Sequence, residues 1–79
     1  MTRPNTDGKV KELRESVAET VRMARAKRRM SQIEVAEAAG TSPMRVQEME
    51  KGNADYRLST LARIAGVLGI EVSVKIDAA

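Results

Sequence analysis

Few residues in this chain suit covalent catalysis, but its charges are arranged to meet an anion. Its 79 residues include no Cys and no His. Thiol nucleophiles, imidazole bases, disulfides and the usual zinc ligands are therefore absent together. There is no Gly-rich phosphate loop either. The expectation is a protein that is not an enzyme and uses no cofactor and no metal. What the chain does have is RMARAKRR, Arg22 to Arg29, with five cations in eight residues and no anion. The net charge is only +3, yet residues 1–29 carry nine Lys/Arg against four Asp/Glu, and residues 30–79 carry five against seven. Clustered Lys/Arg is what a polyanion partner requires. A solvated helix face is the plainer reading, and charge alone does not choose between the two.

A second stretch, TSPMRVQEMEKG from Thr41 to Gly52, poses a different problem. Ser before Pro is a helix start and Lys-Gly a helix stop. Between them only Val46 and Met49 are clearly apolar. With those two turned inward on a helical wheel, Met44, Gln47, Glu48 and Lys51 point outward. Pro43 and Arg45 lie on the flanks, and Glu50 falls near the buried edge. A helix held by two anchors presents its remaining faces to a partner.

The elements that must position these residues are legible as periodicities. The opening residues 1–8 are polar, with Pro and Gly, and read as a disordered arm before a single domain over residues 9–69. From about Lys9 to Arg29 the apolar residues Val10, Leu13, Val17, Val21 and Ala24 recur every three or four positions, which predicts an amphipathic helix, with a break near Ser16 left open. Ser31 with Glu34 forms a capping box ahead of a second helix that Gly40 ends. The stretch quoted above is the third. LSTLARIAGVLG is the fourth, with Leu58, Leu61, Ile64, Ala65 and Leu68 on one face. Phe and Trp are absent and there is one Tyr, so the core must come from small and aliphatic side chains. The longest uncharged apolar run, Ile64 to Ile70, is too short to span a bilayer. The expectation is a soluble cytoplasmic protein.

The tail has another period. In IEVSVKI the apolar residues Ile70, Val72, Val74 and Ile76 alternate with Glu71, Ser73 and Lys75, which predicts a strand over residues 70–77. A lone strand leaves its backbone unpaired, so the economical partner is the same strand of a second copy. Folding back onto the chain's own helices is the alternative.

The second and third helices, joined through Gly40 and Thr41, have the spacing of a helix-turn-helix, with Ala36 and Ala39 small where the helices cross. In DNA-binding proteins of that type the exposed second helix lies in the major groove. The segment MSQIEVAEAAGTSPMRVQEMEKGN resembles the Cro/phage-repressor helix-turn-helix family, also called the XRE type. The likeness runs from about Val17 to Leu68. It rests on Ser31-Gln32, Val35-Ala36, Gly40, Val46, Glu50-Lys51-Gly52, and Leu61, Ile64, Ala65 and Leu68. The tail is similar to that of HipB- and HigA-type antitoxins, in the first of which the strand pairs across a homodimer.

The resemblance implies an all-α, lambda-repressor-like bundle of four to five helices plus the C-terminal strand. It implies that Met44, Arg45, Gln47 and Glu48 face base edges, Arg45 reaching a base or the backbone. It implies that Gln32, Ser42, Lys51 and Asn53 hold DNA phosphates, with Arg28 and Arg29 of the basic segment adding to them. Arg25 is expected to pair with Glu50 and tie the first helix to the third. Two positions depart from the family pattern: Pro43 stands where a base-reading Gln is often found, and Arg29 replaces a frequent Gly. Blander roles stay open for Met44, as a gap-filler, and for Glu48, as a solvated anion. The favoured function is a sequence-specific repressor, bacterial or phage-encoded, that binds an inverted-repeat operator as a homodimer and controls its own transcription. The alternative is an antitoxin, which adds a toxin protein as partner.

Overall fold

A computed structural model describes residues 6–73. Four helices follow one another: α1 (Thr6–Lys27), α2 (Gln32–Ala39), α3 (Pro43–Lys51) and α4 (Leu58–Leu68). The architecture is all-helical, as a lambda-repressor-like bundle requires. Among the described residues there is no strand.

α1 begins at Thr6, three positions before the Lys9 boundary, with Asp7 in its first turn complementing the helix dipole. It runs unbroken through Ser16, whose carbonyl also accepts from the Thr20 hydroxyl at 2.9 Å. Residues 6–8 thus belong to the helix and not to an arm, and residues 1–5 lie outside the described residues. Because α1 has 22 residues and its neighbours 8 to 11, its first turns project past the bundle. Leu13, expected on the apolar face, is 65% exposed there, whereas Ala18 and Val21 are buried.

The ends of the short helices follow from their caps. Ser31 accepts from the Glu34 N–H at 3.0 Å while the Glu34 carboxylate accepts from the Ser31 N–H at 2.9 Å. Hydrogen bonding to the carboxylate, first from the Ser31 N–H and then from the Ser31 side chain, draws the Glu34 pKa below its ordinary value. Gly40 closes α2 at φ 69, with Thr41 N–H donating back to the Ala36 carbonyl. This is the double-bonded glycine cap that helices favour where a left-handed residue is needed. α1 closes in the same way on Arg29, at φ 53, with Met30 N–H donating to the Arg25 carbonyl.

α4 ends the same way too, and this sets the place of Ile70. Gly69 takes φ 69, and the Ile70 N–H donates to the Ala65 carbonyl at 2.8 Å. Ile70 packs against the core and completes the cap of α4 instead of opening a strand. Val72 is half-exposed and non-helical, and Val74 and Ile76 lie outside the described residues. The core joins Val21, Val35, Ala36, Val46, Met49, Leu61, Ile64 and Leu68. Leu58, in the first turn of α4, falls at the edge of that face and stays 81% exposed.

Candidate nucleic-acid interface

α3 is built to be held from below. Ser42 caps it, its hydroxyl accepting from the Arg45 N–H, and Pro43 takes the first turn, where its missing N–H costs nothing. Val46 and Met49 are fully buried. Met44, Arg45, Gln47, Glu48 and Lys51 are all exposed, so α3 shows one continuous exposed face, polar apart from Met44. Met44, at 65% exposure, fills no gap among the described residues.

The C-terminal end of α3 is fixed by a charged network. Arg25 Nε donates to Glu50 Oε2 at 2.7 Å and Arg25 Nη2 to Glu50 Oε1 at 2.8 Å, a two-pronged pair of the strongest kind. Arg25 Nη1 reaches the Met30 carbonyl at 3.0 Å, tying the α1–α2 turn to the same point. Glu50 hydrogen-bonding raises the Arg25 pKa, working against partial desolvation, and charge attraction adds to it. Glu50 is buried while the Arg25 side chain keeps 24% of its surface, so the anion depends on the cation more than the reverse.

Gln32 joins this network, donating through Nε2 to Glu50 Oε1 at 3.3 Å. Its second Nε2 hydrogen remains for an external acceptor. The N-terminus of α2, whose dipole favours anions, lies behind it. Lys51 and Asn53 follow Glu50 in the chain and are exposed. Gln32, Lys51 and Asn53 therefore cluster about one end of α3, and Ser42 and Arg45 stand at the other. Arg29 is exposed in its left-handed turn. Arg28 lies elsewhere: its guanidinium rests so close to Gly69 that a Cβ there would collide with it. At that point it faces the negative end of the α4 dipole.

Two cations of α1 act in ways that counting charge missed. Arg22, which in the sequence is only one of the five cations of the basic segment, donates through Nη1 to the Glu50 carbonyl. Arg14 pairs with Asp55 of the α3–α4 loop. Arg14, Arg22 and Arg25 share one face of α1, at spacings of eight and three, and that periodicity was the available signal. The loop they secure carries half-buried Tyr56, whose hydroxyl pKa burial raises and nearby Arg14 partly lowers.

Residues 21–74 match the helix-turn-helix family whose members include the XRE-type regulators. The chain belongs to that family. It is a family of DNA-binding regulators. The chain is also 34% identical over 58 residues to an immunity repressor protein of Bacillus phage phi105. That match covers 73% of this chain and 40% of the relative, so the chain spans about two-fifths of the repressor's length. Among the described residues no helix is long and apolar enough to cross a membrane, and no acidic, His or Cys group is gathered as a metal site.

Proposed function

We propose that this helix-turn-helix chain is a sequence-specific transcriptional repressor acting in the cytoplasm of a bacterial cell. The observation that carries the reading is α3: two buried anchors and an exposed, mostly polar face, locked at its far end by Arg25 and Glu50. α3 enters the major groove. Met44, Arg45, Gln47 and Glu48 face base edges there, and Arg45 and Gln47 supply the directional hydrogen bonds. Gln32, Lys51 and Asn53 hold phosphates at one end of the helix and Ser42 at the other, with Arg29 adding charge. Arg28 joins them by swinging off Gly69.

Two copies bind an inverted repeat, their recognition helices about one DNA turn or roughly 34 Å apart. The tail from Val72 through Val74 and Ile76 supplies the pairing strand, shortened by Ile70, which the α4 cap already occupies. Repression of its own gene follows if the operator lies in its promoter. The similarity to a phage immunity repressor supports a repressor, and the antitoxin alternative rests on the tail's sequence likeness alone. The test is selection from a random duplex library by the purified protein. A palindromic motif supports the reading; no enriched motif over several rounds overturns it.

A further inference from the structure

Beyond Gly69 the described chain continues through Ile70, Glu71, Val72 and Ser73, all non-helical. Ile70 is tied down, its side chain on the core and its N–H in the cap of α4. The next three residues are exposed, and their N–H groups make no hydrogen bond among the described residues. Between the C-terminal ends of α1 and α4, next to Ile70, lies an open groove of about 430 Å³. Ala24, Leu68 and Ile70 line it with apolar surface, and Lys27 and Arg28 with positive charge. Lys27 has no ion-pair partner among the described residues.

The chain's own tail is a poor occupant for this groove. Residues 71–76 contain no Gly, Pro, Asn or Asp to reverse direction, and Val72, Val74 and Ile76 favour extended backbone. Extended, those six residues carry Ile76 about 20 Å beyond Ile70. A second copy fits because the tail is complementary to itself in one antiparallel register. With Ser73 opposite the partner's Ser73, Ile70 faces the partner's Ile76 and Val72 the partner's Val74. On the other side Glu71 faces the partner's Lys75. Every facing pair but the central one joins apolar with apolar or anion with cation, and such pairs stabilise adjacent strands. A slip of two residues sets Glu71 against the partner's Asp77, or Lys75 against the partner's Gly69. A slip of one turns the apolar face of one strand to the polar face of the other.

The cap of α4 selects the same register. Hydrogen-bonded and non-bonded positions alternate along an antiparallel pair. The Ile70 N–H is held by the Ala65 carbonyl, so Ile70 must take a non-bonded position. The ladder bonds then fall to Glu71, Ser73 and Lys75, and the first two have open N–H groups. We propose that two copies pair through residues 70–76 centred on Ser73, and that each seats its Ile76 and Asp77 at the other's groove between α1 and α4. The partner's Ile76 lies beside Ile70 there, and the partner's Asp77 comes opposite Gly69, next to Lys27. This pairing rests on the homodimeric reading and gives it a register and a docking site.

The test is disulfide trapping of the full chain, which has no Cys of its own. Facing α-carbons at a hydrogen-bonded position lie about 5.5 Å apart, within disulfide reach. Ser73→Cys should therefore oxidise to a covalent dimer. Val72→Cys or Val74→Cys alone should not, because each lies diagonal to its own mate, roughly 7–8 Å away. Mixing those two variants should cross-link them, and so should mixing Ala24→Cys with Ile76→Cys. Glu71→Lys sets like charges opposite each other twice per dimer and should weaken dimerisation about tenfold in sedimentation. Adding Lys75→Glu to the same chain should restore it. A native chain that sediments as a monomer removes the homodimeric reading and this pairing with it. A native dimer in which Val72→Cys traps itself and Ser73→Cys does not, or in which Lys75→Glu fails to rescue, overturns the register alone. A disulfide formed only within single chains carrying both Ala24→Cys and Ile76→Cys gives the groove to the chain's own tail and overturns the docking.

Discussion

Arg29→Gly should raise stability and weaken DNA binding at once. Arg29 is the one non-glycine residue with positive φ among the described residues, and it occupies the position that closes α1. A side chain in that conformation costs about 1–2 kcal/mol. Glycine avoids the cost but takes back about 0.5–1 kcal/mol through its freer unfolded chain. The expected net gain is about 0.5–1 kcal/mol. The Arg29 side chain makes no hydrogen bond or ion pair among the described residues, so removing it breaks no such bond. For a domain of this size the melting temperature should rise by roughly 2–8 °C, measured by circular dichroism. The charge acts in the opposite direction. Each phosphate that is no longer neutralised flattens the log–log dependence of affinity on salt by about 0.9, so two per dimer should flatten it by about 1.8. Arg29→Ala separates the two effects, because it removes the charge and keeps the strained backbone: its slope should flatten without a rise in melting temperature. If Arg29→Gly melts no higher than Arg29→Ala, the left-handed turn is not a source of strain. If neither changes the slope, Arg29 does not meet a phosphate.

The remaining predictions concern the network, a cap, readout and the tail. Arg25→Ala strands the buried Glu50 carboxylate and should cost about 3–5 kcal/mol. Glu50→Ala should cost less, because Arg25 is 24% exposed and can hydrate; equal losses in chemical denaturation would contradict that asymmetry. Ser31→Ala should cost about 1 kcal/mol. Glu34 titrates below its ordinary value, so its stabilising contribution is complete above the usual carboxylate range and is lost as pH falls through the folded pKa. Ser31→Ala should raise that pKa, and an unmoved NMR titration curve would disprove the link. Gln47→Ala or Arg45→Ala should cost on the order of 1–3 kcal/mol on the selected operator and much less on random DNA. Equal losses would show a residue that positions without reading. Deleting Val72 to Ala79 should give a monomer that no longer binds the operator tightly, and a truncated dimer in sedimentation would move the interface elsewhere.

The helices were legible because their signals are local. Ser31 with Glu34, Ser42 with Pro43, and Gly40, Gly52 and Gly69 each act within one turn, so they mark boundaries without knowledge of the fold. The face of α3 was legible for the same reason: two apolar residues three apart suffice to orient it. What the sequence hid depends on neighbours distant in the chain. Leu13 fits the apolar stripe of α1 but lies where no other described residue covers it. Arg28 is chemically a phosphate binder, yet it rests on Gly69, some forty positions away. Ile70 satisfies the alternating pattern of a strand, but its N–H is taken by the cap of α4.

This division of labour bears on how such a domain can change what it reads. The residues that fix α3 in space, Val46, Met49 and Glu50, face inward; those proposed to read bases, Met44, Arg45, Gln47 and Glu48, face outward. Substitutions on the outer face leave the core packing untouched and belong to the class that usually alters stability little. Specificity is therefore free to vary while the helix keeps its place. Gln32 and Arg29 are the exceptions, since each serves both ends. Gln32 donates one hydrogen to the buried Glu50 and is proposed to give the other to a phosphate, so replacing it should disturb the scaffold and the proposed binding surface together. Arg29 carries its charge at a site where glycine fits better, and strain of that sort persists in proteins chiefly where the side chain is used. A residue whose conformation costs stability and whose side chain forms no hydrogen bond or ion pair among the described residues is explained by a partner that its charge meets.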